Sequence, residues 1–145
     1  MEVLEQFHQV AADPKTYARG WKKEHGGQVV GTLCSYAPEE LILAGGALAH
    51  RIVGGSGRIS RADAHLQSYS CSLVRGALEG ALAGELDFLD GVIFPHTCDS
   101  IQRLSDIWRM NAGTGFHLDV VLPVKLNTDS ARRYMATVMA EAKAK

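Results

Sequence analysis

Short apolar runs alternate along this chain with longer segments in which apolar residues recur at helical spacing. Four of these runs, at 28–33, 50–53, 91–95 and 117–122, are short and rich in β-branched or aromatic residues, which predicts strands. Helices are predicted at 2–24, 38–48, from about 60, at 72–84, at 99–111 and from Asp129 or Ser130 onward. Strands that alternate with helices in this way predict βαβ units and a parallel sheet.

Glycine and proline mark the boundaries of these elements. Asp13-Pro14 interrupts the first helical segment and predicts a fresh helix from Lys15, since proline suits a first helical turn. Gly26-Gly27 ends that helix, and the glycine-rich segment 54–57 predicts a turn. The expected fold is a single α/β domain over residues 1–145, with a three-layer, Rossmann-like parallel sheet.

Composition and charge narrow the classes of function. The chain has 145 residues, is 46% hydrophobic and carries a formal net charge of −1, so it is long enough for one buried core and is not basic. We expect no nucleic acid as a partner, because the basic residues are scattered. We also expect no membrane association and a cytoplasmic location, because there is neither an apolar stretch of about 20 residues nor a secretory signal pattern.

The three cysteines share one kind of sequence context. Cys34, Cys71 and Cys98 each follow a predicted strand or loop and precede a predicted helix. A helix start offers unpaired N–H groups and the positive end of the helix dipole, both of which stabilise a thiolate. Parallel sheets bind ligands at the carboxyl ends of their strands, and Cys34 and Cys98 are predicted at that edge.

No short spacing links the cysteines, so only the fold can bring them together. The simplest alternative is that each is a small buried apolar residue, as free cysteines often are. Their neighbours argue against an apolar core, because Ser35, Ser70 and Thr97 are polar.

Thiolate ligands limit the kind of metal. Sulfur favours iron–sulfur clusters, zinc and copper(I) over magnesium and calcium. A structural zinc site needs a fourth ligand, for which His96 or His65 is available. Three sulfurs with no obvious fourth ligand favour an iron–sulfur cluster with one open iron. A zinc-stabilised binding module and a metal-free α/β interaction domain remain the alternatives of another class.

Three stretches, in this order along the chain, resemble one known family. They are 29–41 (VVGTLCSYAPEEL), 62–71 (ADAHLQSYSC) and 87–100 (DFLDGVIFPHTCDS). Together they closely resemble the 2-hydroxyacyl-CoA dehydratase and benzoyl-CoA reductase family. The resemblance extends from about Trp21 to Leu122 and corresponds to the amino-terminal, iron–sulfur-binding domain of a larger family subunit.

The resemblance implies a low-potential radical enzyme of anaerobes. Cys34, Cys71 and Cys98 would hold a [4Fe–4S] cluster, a homologous second subunit would hold another, and an ATP-hydrolysing activator protein would deliver single electrons. In a dehydratase, an electron placed on the thioester carbonyl of an (R)-2-hydroxyacyl-CoA leads to loss of the 2-hydroxyl and an enoyl-CoA. In a benzoyl-CoA reductase, the electrons enter the aromatic ring. His96, two residues before Cys98, is a candidate catalytic proton donor.

Overall fold

Four parallel strands form one sheet in the order β2-β1-β3-β4. The strands are β1 Val29–Thr32, β2 Leu48–Arg51, β3 Gly91–Pro95 and β4 Phe116–Val120. The structure is a computed structural model that describes residues 2–55, 57–113 and 115–145. β1 and β3 are neighbours at the centre of the sheet, and their register pairs Thr32 with Ile93.

Helices connect the strands and cover both faces of the sheet. They are α1 Glu2–Ala12, α2 Pro14–His25, α3 Glu39–Ala44, α4 Ser72–Leu82, α5 Asp99–Asn111 and α6 Asp129–Ala144. Because α3, α4 and α5 each connect two parallel strands, each runs back across the sheet and begins at its carboxyl edge. None of the helices in the described part of the chain has the length and apolarity needed to span a bilayer.

The two faces of the sheet have separate apolar clusters, because successive strand residues point to opposite sides. The larger cluster joins strand residues such as Val92 and Phe94 to helices α2, α4 and α5. The smaller cluster joins Val30 and Ile93 to α3 and α6. This arrangement confirms the predicted three-layer α/β fold with a parallel sheet.

The prediction of a helix over 38–48 is wrong at its carboxyl end. α3 ends at Ala44, the amide of Gly45 bonds to the carbonyl of Leu41, and Gly46 takes a left-handed backbone with φ of 77°. Glycine adopts this conformation without steric cost and so ends the helix. The freed residues start β2 at Leu48, two residues before the predicted strand.

The helix predicted from about residue 60 is also wrong, since only a short 3₁₀ turn forms at Ala62–Ala64. The Glu79 carboxylate accepts hydrogen bonds from the amides of Ser60 and Ala62, at 3.0 and 2.9 Å. These tertiary bonds satisfy donors that a helix would otherwise use. The predicted glycine turn includes Ser56, which lies outside the described residues, and Gly54, Gly55 and Gly57 belong to no helix or strand.

The other boundaries follow the sequence closely. β3 and α5 have the predicted limits, and Asp13 caps α2 by accepting from the amide of Thr16 at 3.0 Å. The final helix is capped by Thr128, whose hydroxyl accepts from the amide of Ala131 at 3.2 Å, one residue before the predicted cap. Trp108 is fully buried and packs edge-on against Phe94 with ring centroids 5.6 Å apart.

Candidate metal centre at the carboxyl edge of the sheet

Cys34 and Cys98 follow the two central strands. Cys34 comes two residues after β1, and Cys98 comes three residues after β3. Because these strands are parallel and adjacent, both cysteines lie at the carboxyl edge of the sheet.

Cys71 reaches the same edge from a helix. It is the N-cap of α4, which crosses from β2 back to β3 and therefore begins at the carboxyl edge. Two glycines set the position of this helix. A Cβ added to Gly76 would lie 2.7 Å from the Cα of Gly54, so the start of α4 packs directly on the backbone that follows β2.

Two of the three cysteines occupy helix N-caps. Cys71 begins α4 and Cys98 begins α5; both have extended backbone, and neither side chain makes a capping hydrogen bond within the described residues. Both are exposed. Both sulfurs therefore stand at the N-terminal end of a helix and are accessible to another group.

Cys34 has a different local geometry. Its backbone is left-handed, with φ of 52°, and Tyr36 two residues later also has a positive φ, of 69°. Non-glycine residues rarely adopt this conformation, and such strain is common at functional sites. The result is a tightly twisted loop that leaves Cys34 half-buried beside the core.

The other two cysteines affect the ionisation of Cys34. Burial raises the pKa of the Cys34 thiol, and the negative charges of Cys98 and Cys71 raise it further. A metal group bound between the thiolates would supply positive charge that offsets this repulsion. The donor set therefore fits a metal centre that binds thiolates.

The spacing of the donors bears on the kind of centre. Across the described ranges 2–55, 57–113 and 115–145, no group of three or more Cys, His, Asp or Glu side chains is arranged to hold a single metal ion. In an iron–sulfur cluster each thiolate binds a different iron, so the sulfurs need not converge on one point.

A polar cleft of about 740 Å³ lies beside the cysteines. Its walls come from the segment just before Cys71, from α5 and from the ends of β3 and β4. The lining residues include His65, Tyr69, Ser70, His96, Asp99 and Asp119. Its volume is within the ~300–1,000 Å³ typical of small-molecule sites.

His96 lies in this cleft and is held by a carboxylate. Its Nε2 is 2.8 Å from Oδ1 of Asp119, which is on β4, and its backbone amide bonds to the carbonyl of Val120 at 2.8 Å. Ser105 on α5 also donates to Asp119, and its hydroxyl lies 2.7 Å from Nε2 of His117.

Burial and hydrogen bonding set the charges of this group. Burial on its own would raise the pKa of Asp119, but hydrogen bonds from Ser105 and His96 and the nearby histidines lower it below its usual value. Burial lowers the pKa of His117, although the Asp119 carboxylate opposes this shift. An ionised carboxylate is therefore the centre of the group.

Ser105, His117 and Asp119 were not among the site residues predicted from the sequence. The alternation in His117-Leu118-Asp119-Val120 was an available signal, because it places His117 and Asp119 on the same face of one strand. His65, the other histidine considered as a ligand, is exposed and lines the same cleft as His96.

Comparison with known proteins identifies the family. The family described as 2-hydroxyglutaryl-CoA dehydratase, D-component, matches residues 34–145. The chain belongs to this family. The match begins at Cys34 and includes all three cysteines. It also includes β3, β4 and α5, which surround His96.

Individual relatives agree with this assignment. A lactoyl-CoA dehydratase beta subunit from Anaerotignum propionicum is 33% identical over 136 residues, covering 93% of this chain and 36% of that subunit. An (R)-2-hydroxyglutaryl-CoA dehydratase beta subunit from Acidaminococcus fermentans is 34% identical over 109 residues, 74% of this chain and 28% of that subunit. A benzoyl-CoA reductase subunit from Thauera aromatica is 38% identical over 98 residues, 66% of this chain and 25% of that subunit. The chain thus spans about a third or less of the length of these relatives.

Proposed function

We propose that this chain is a [4Fe–4S]-binding domain of a subunit of an ATP-activated radical (R)-2-hydroxyacyl-CoA dehydratase, which removes water to give an enoyl-CoA. The observation that carries the proposal is the arrangement of Cys34, Cys71 and Cys98 at one edge of the sheet, with two of them at helix starts. Family membership supports the class of reaction.

The chain is proposed to correspond to the amino-terminal domain of a larger subunit. It covers 36% of the lactoyl-CoA dehydratase subunit and 28% of the 2-hydroxyglutaryl-CoA dehydratase subunit. The rest of the active site would come from the remainder of such a subunit and from its partner. On this proposal the chain is inactive alone.

The residues have distinct roles in this proposal. Cys34, Cys71 and Cys98 would each bind one iron. When bound, the cluster supplies single electrons and a fourth iron that has no cysteine ligand. Cys71 and Cys98 would bind from the starts of α4 and α5. His96 faces the cleft beside them and is the proposed group for proton transfer to or from the substrate.

The proposed partners are a homologous second subunit, an ATP-dependent activator protein and an acyl-CoA substrate. Two of the relatives are named as beta subunits of dehydratases, which supports a multi-subunit assembly. The cleft beside the cysteines is large enough for a small acyl group.

A subunit of a benzoyl-CoA reductase is the second candidate. The relative from Thauera aromatica that supports it is the most identical of the three described above, although over the shortest stretch. The two candidates share the cluster and differ in substrate, so reconstituted subunits would be offered a 2-hydroxyacyl-CoA and benzoyl-CoA in parallel.

Anaerobic purification followed by reconstitution with iron and sulfide tests the proposal. We expect a brown protein with a broad absorbance near about 400 nm, which is lost when any one cysteine becomes serine. The matched control is Ser100→Ala, a change two residues after Cys98 that keeps every thiol. Colourless protein after reconstitution would contradict the proposal. Stoichiometric zinc with unfolding by a chelator would instead identify a zinc-stabilised module.

A further inference from the structure

A single carboxylate connects His96 to two other polar side chains, Ser105 in the wall of the same cleft and His117 beside it. Asp119 receives hydrogen bonds from Ser105 and from Nε2 of His96, the latter at 2.8 Å. Nε2 of His117 lies 2.7 Å from the Ser105 hydroxyl and 3.4 Å from Oδ2 of Asp119. The four side chains come from the end of β3, from α5 and from β4.

The chemistry of these groups fixes the direction of every hydrogen bond. An ionised carboxylate only accepts, so Nε2 of His96 must carry the hydrogen that it shares with Asp119. Ser105 uses its one hydrogen for Asp119, so its oxygen must accept from Nε2–H of His117. All donors therefore point toward Asp119, directly or through Ser105.

Packing restricts the movement of this group. Ser105 is buried, with 2% of its surface exposed, and the ring of His117 stacks on Phe94 with centroids 4.6 Å apart. Phe94 and Asp119 are register partners in the sheet. Ser105 and His117, which both contact Asp119, are thus held in place by the core and the sheet.

The arrangement differs from a nucleophilic triad. In a triad, the carboxylate binds the histidine nitrogen opposite to the one that faces the serine. Here Asp119 binds the serine hydroxyl itself and approaches the same His117 nitrogen, Nε2, that the serine contacts. The group therefore holds side chains in place and does not activate Ser105.

We propose that Asp119 is a positioning residue, which holds His96 as its Nε2–H tautomer and turns the Nδ1 lone pair toward the cleft. Nδ1 has no hydrogen-bond partner among the described residues, while His96 lines the cleft. An exposed lone pair accepts a hydrogen bond from a ligand hydroxyl, so the site favours an acyl group that carries a hydroxyl over one that lacks it. This last point rests on the proposed function; the tautomer does not.

Nitrogen-15 NMR of the imidazole rings in the full chain, without iron, tests the assignment. His96 should show two well-separated ring nitrogens with the proton on Nε2, its signals being identified by their loss in His96→Gln. In Asp119→Ala the carboxylate is gone, so the two nitrogens should move toward the averaged shifts of exchanging tautomers. Asp106→Ala is the matched control, because Asp106 lines the same cleft but pairs with Arg109, and it should leave His96 unchanged.

The proton on Nδ1 in the unsubstituted protein, or a His96 spectrum that Asp119→Ala leaves unchanged, would overturn the proposal. The first result needs no variant, so the proposal stays testable if Asp119→Ala does not fold. Ser105→Ala, which leaves the His96–Asp119 bond in place, should keep the Nε2–H tautomer. A chain that shows this tautomer but takes up no iron would contradict the proposed function and leave the role of Asp119 intact.

Discussion

The face of the sheet beneath α2, α4 and α5 differs sharply from the carboxyl edge of the same sheet. The face is a closely packed apolar cluster that includes Leu78, Leu104 and Trp108. The edge carries two exposed cysteines and a loop with two left-handed residues. Stability and chemistry therefore reside in different parts of one small fold, as is common when rigid elements support a site formed by loops.

The two regions are connected through the helices. α4 and α5 bury apolar side chains along their length and present Cys71 and Cys98 at their first residues. The core thus determines where the sulfurs stand without contacting a ligand. Substitutions in the core should change stability and leave metal binding intact, whereas substitutions of the cysteines at the edge should abolish metal binding without a large loss of stability.

The largest stability effect is expected for Trp108→Ala. Trp108 is fully buried against Phe94, so its removal should lower the free energy of unfolding by about 3–5 kcal/mol. Urea denaturation measures this change. Met110→Ala on the same helix is the control, because Met110 is 81% exposed and its loss should have little effect. Iron uptake per folded molecule should not change. A loss of iron in folded Trp108→Ala would contradict the separation of stability in the core from metal binding at the edge.

A smaller loss of stability is expected at the amino edge of the sheet, opposite the cysteines. Asp90 accepts hydrogen bonds from the amide of Val29 and from Nζ of Lys22, both at 2.8 Å. Asp90→Ala leaves the Val29 amide without this acceptor and removes one of the two hydrogen bonds of Lys22, so it should cost about 1–3 kcal/mol in urea denaturation. Asp87→Ala, at an exposed neighbouring residue, should cost far less. Equal losses from the two variants would show that the Asp90 contacts do not hold β1 in place.

Cys98→Ser should move stability and metal binding in opposite directions. Serine is a preferred N-cap, so in the iron-free protein α5 should gain about 0.5–1 kcal/mol, while the variant should no longer take up iron. Cys34→Ser is the control, because Cys34 caps no helix; it should lose iron without the gain. A Cys98→Ser protein that is less stable than the parent would show that Cys98 is a packing residue.

The smallest effect is expected for the change of stability with pH that arises from the packed face. His50 is buried edge-on to Phe88, and burial, followed by the charges of Lys15 and Arg19, lowers its pKa. The unfolded chain takes up this proton at a higher pH, so stability should fall as the pH drops below the ordinary histidine value of about 6.5.

Urea denaturation between about pH 7.5 and about pH 5.5 measures this loss. It should be smaller in His50→Gln, which does not titrate. His8→Gln, at an exposed residue of α1, is the control and should keep the slope of the parent. His117 contributes in the same direction, because burial lowers its pKa too. If His50→Gln leaves the change of stability with pH unaltered, other titrating groups must cause that change.

Local sequence signals were enough to predict part of this structure correctly. The apolar run at β3 and the periodic segment at α5 are continuous and have clear boundaries, so both were predicted correctly. The end of α3 was not, because a glycine pair inside a helical pattern does not reveal whether the chain takes the left-handed conformation seen at Gly46. Similarly, the contacts of Glu79 with Ser60 and Ala62 come from residues distant in sequence.

The site shows the same division. The sequence context of Cys71 and Cys98 predicted their places at helix starts, because capping signals are local, but it did not predict the left-handed loop at Cys34. The hydrogen bonds of Asp119 with His96 and Ser105 join residues 23 and 14 positions apart, so only the folded sheet brings them together. The role of Asp119 therefore becomes visible only in three dimensions.

Iron and sulfide analysis of the anaerobically reconstituted chain, beside its three single Cys→Ser variants, tests the central claim most directly. Because one cluster with three protein ligands is proposed, the parent should bind about four irons and four sulfides, and each variant should lose most of both. A parent chain that binds neither would contradict the account, as would a Cys71→Ser variant that keeps the full complement.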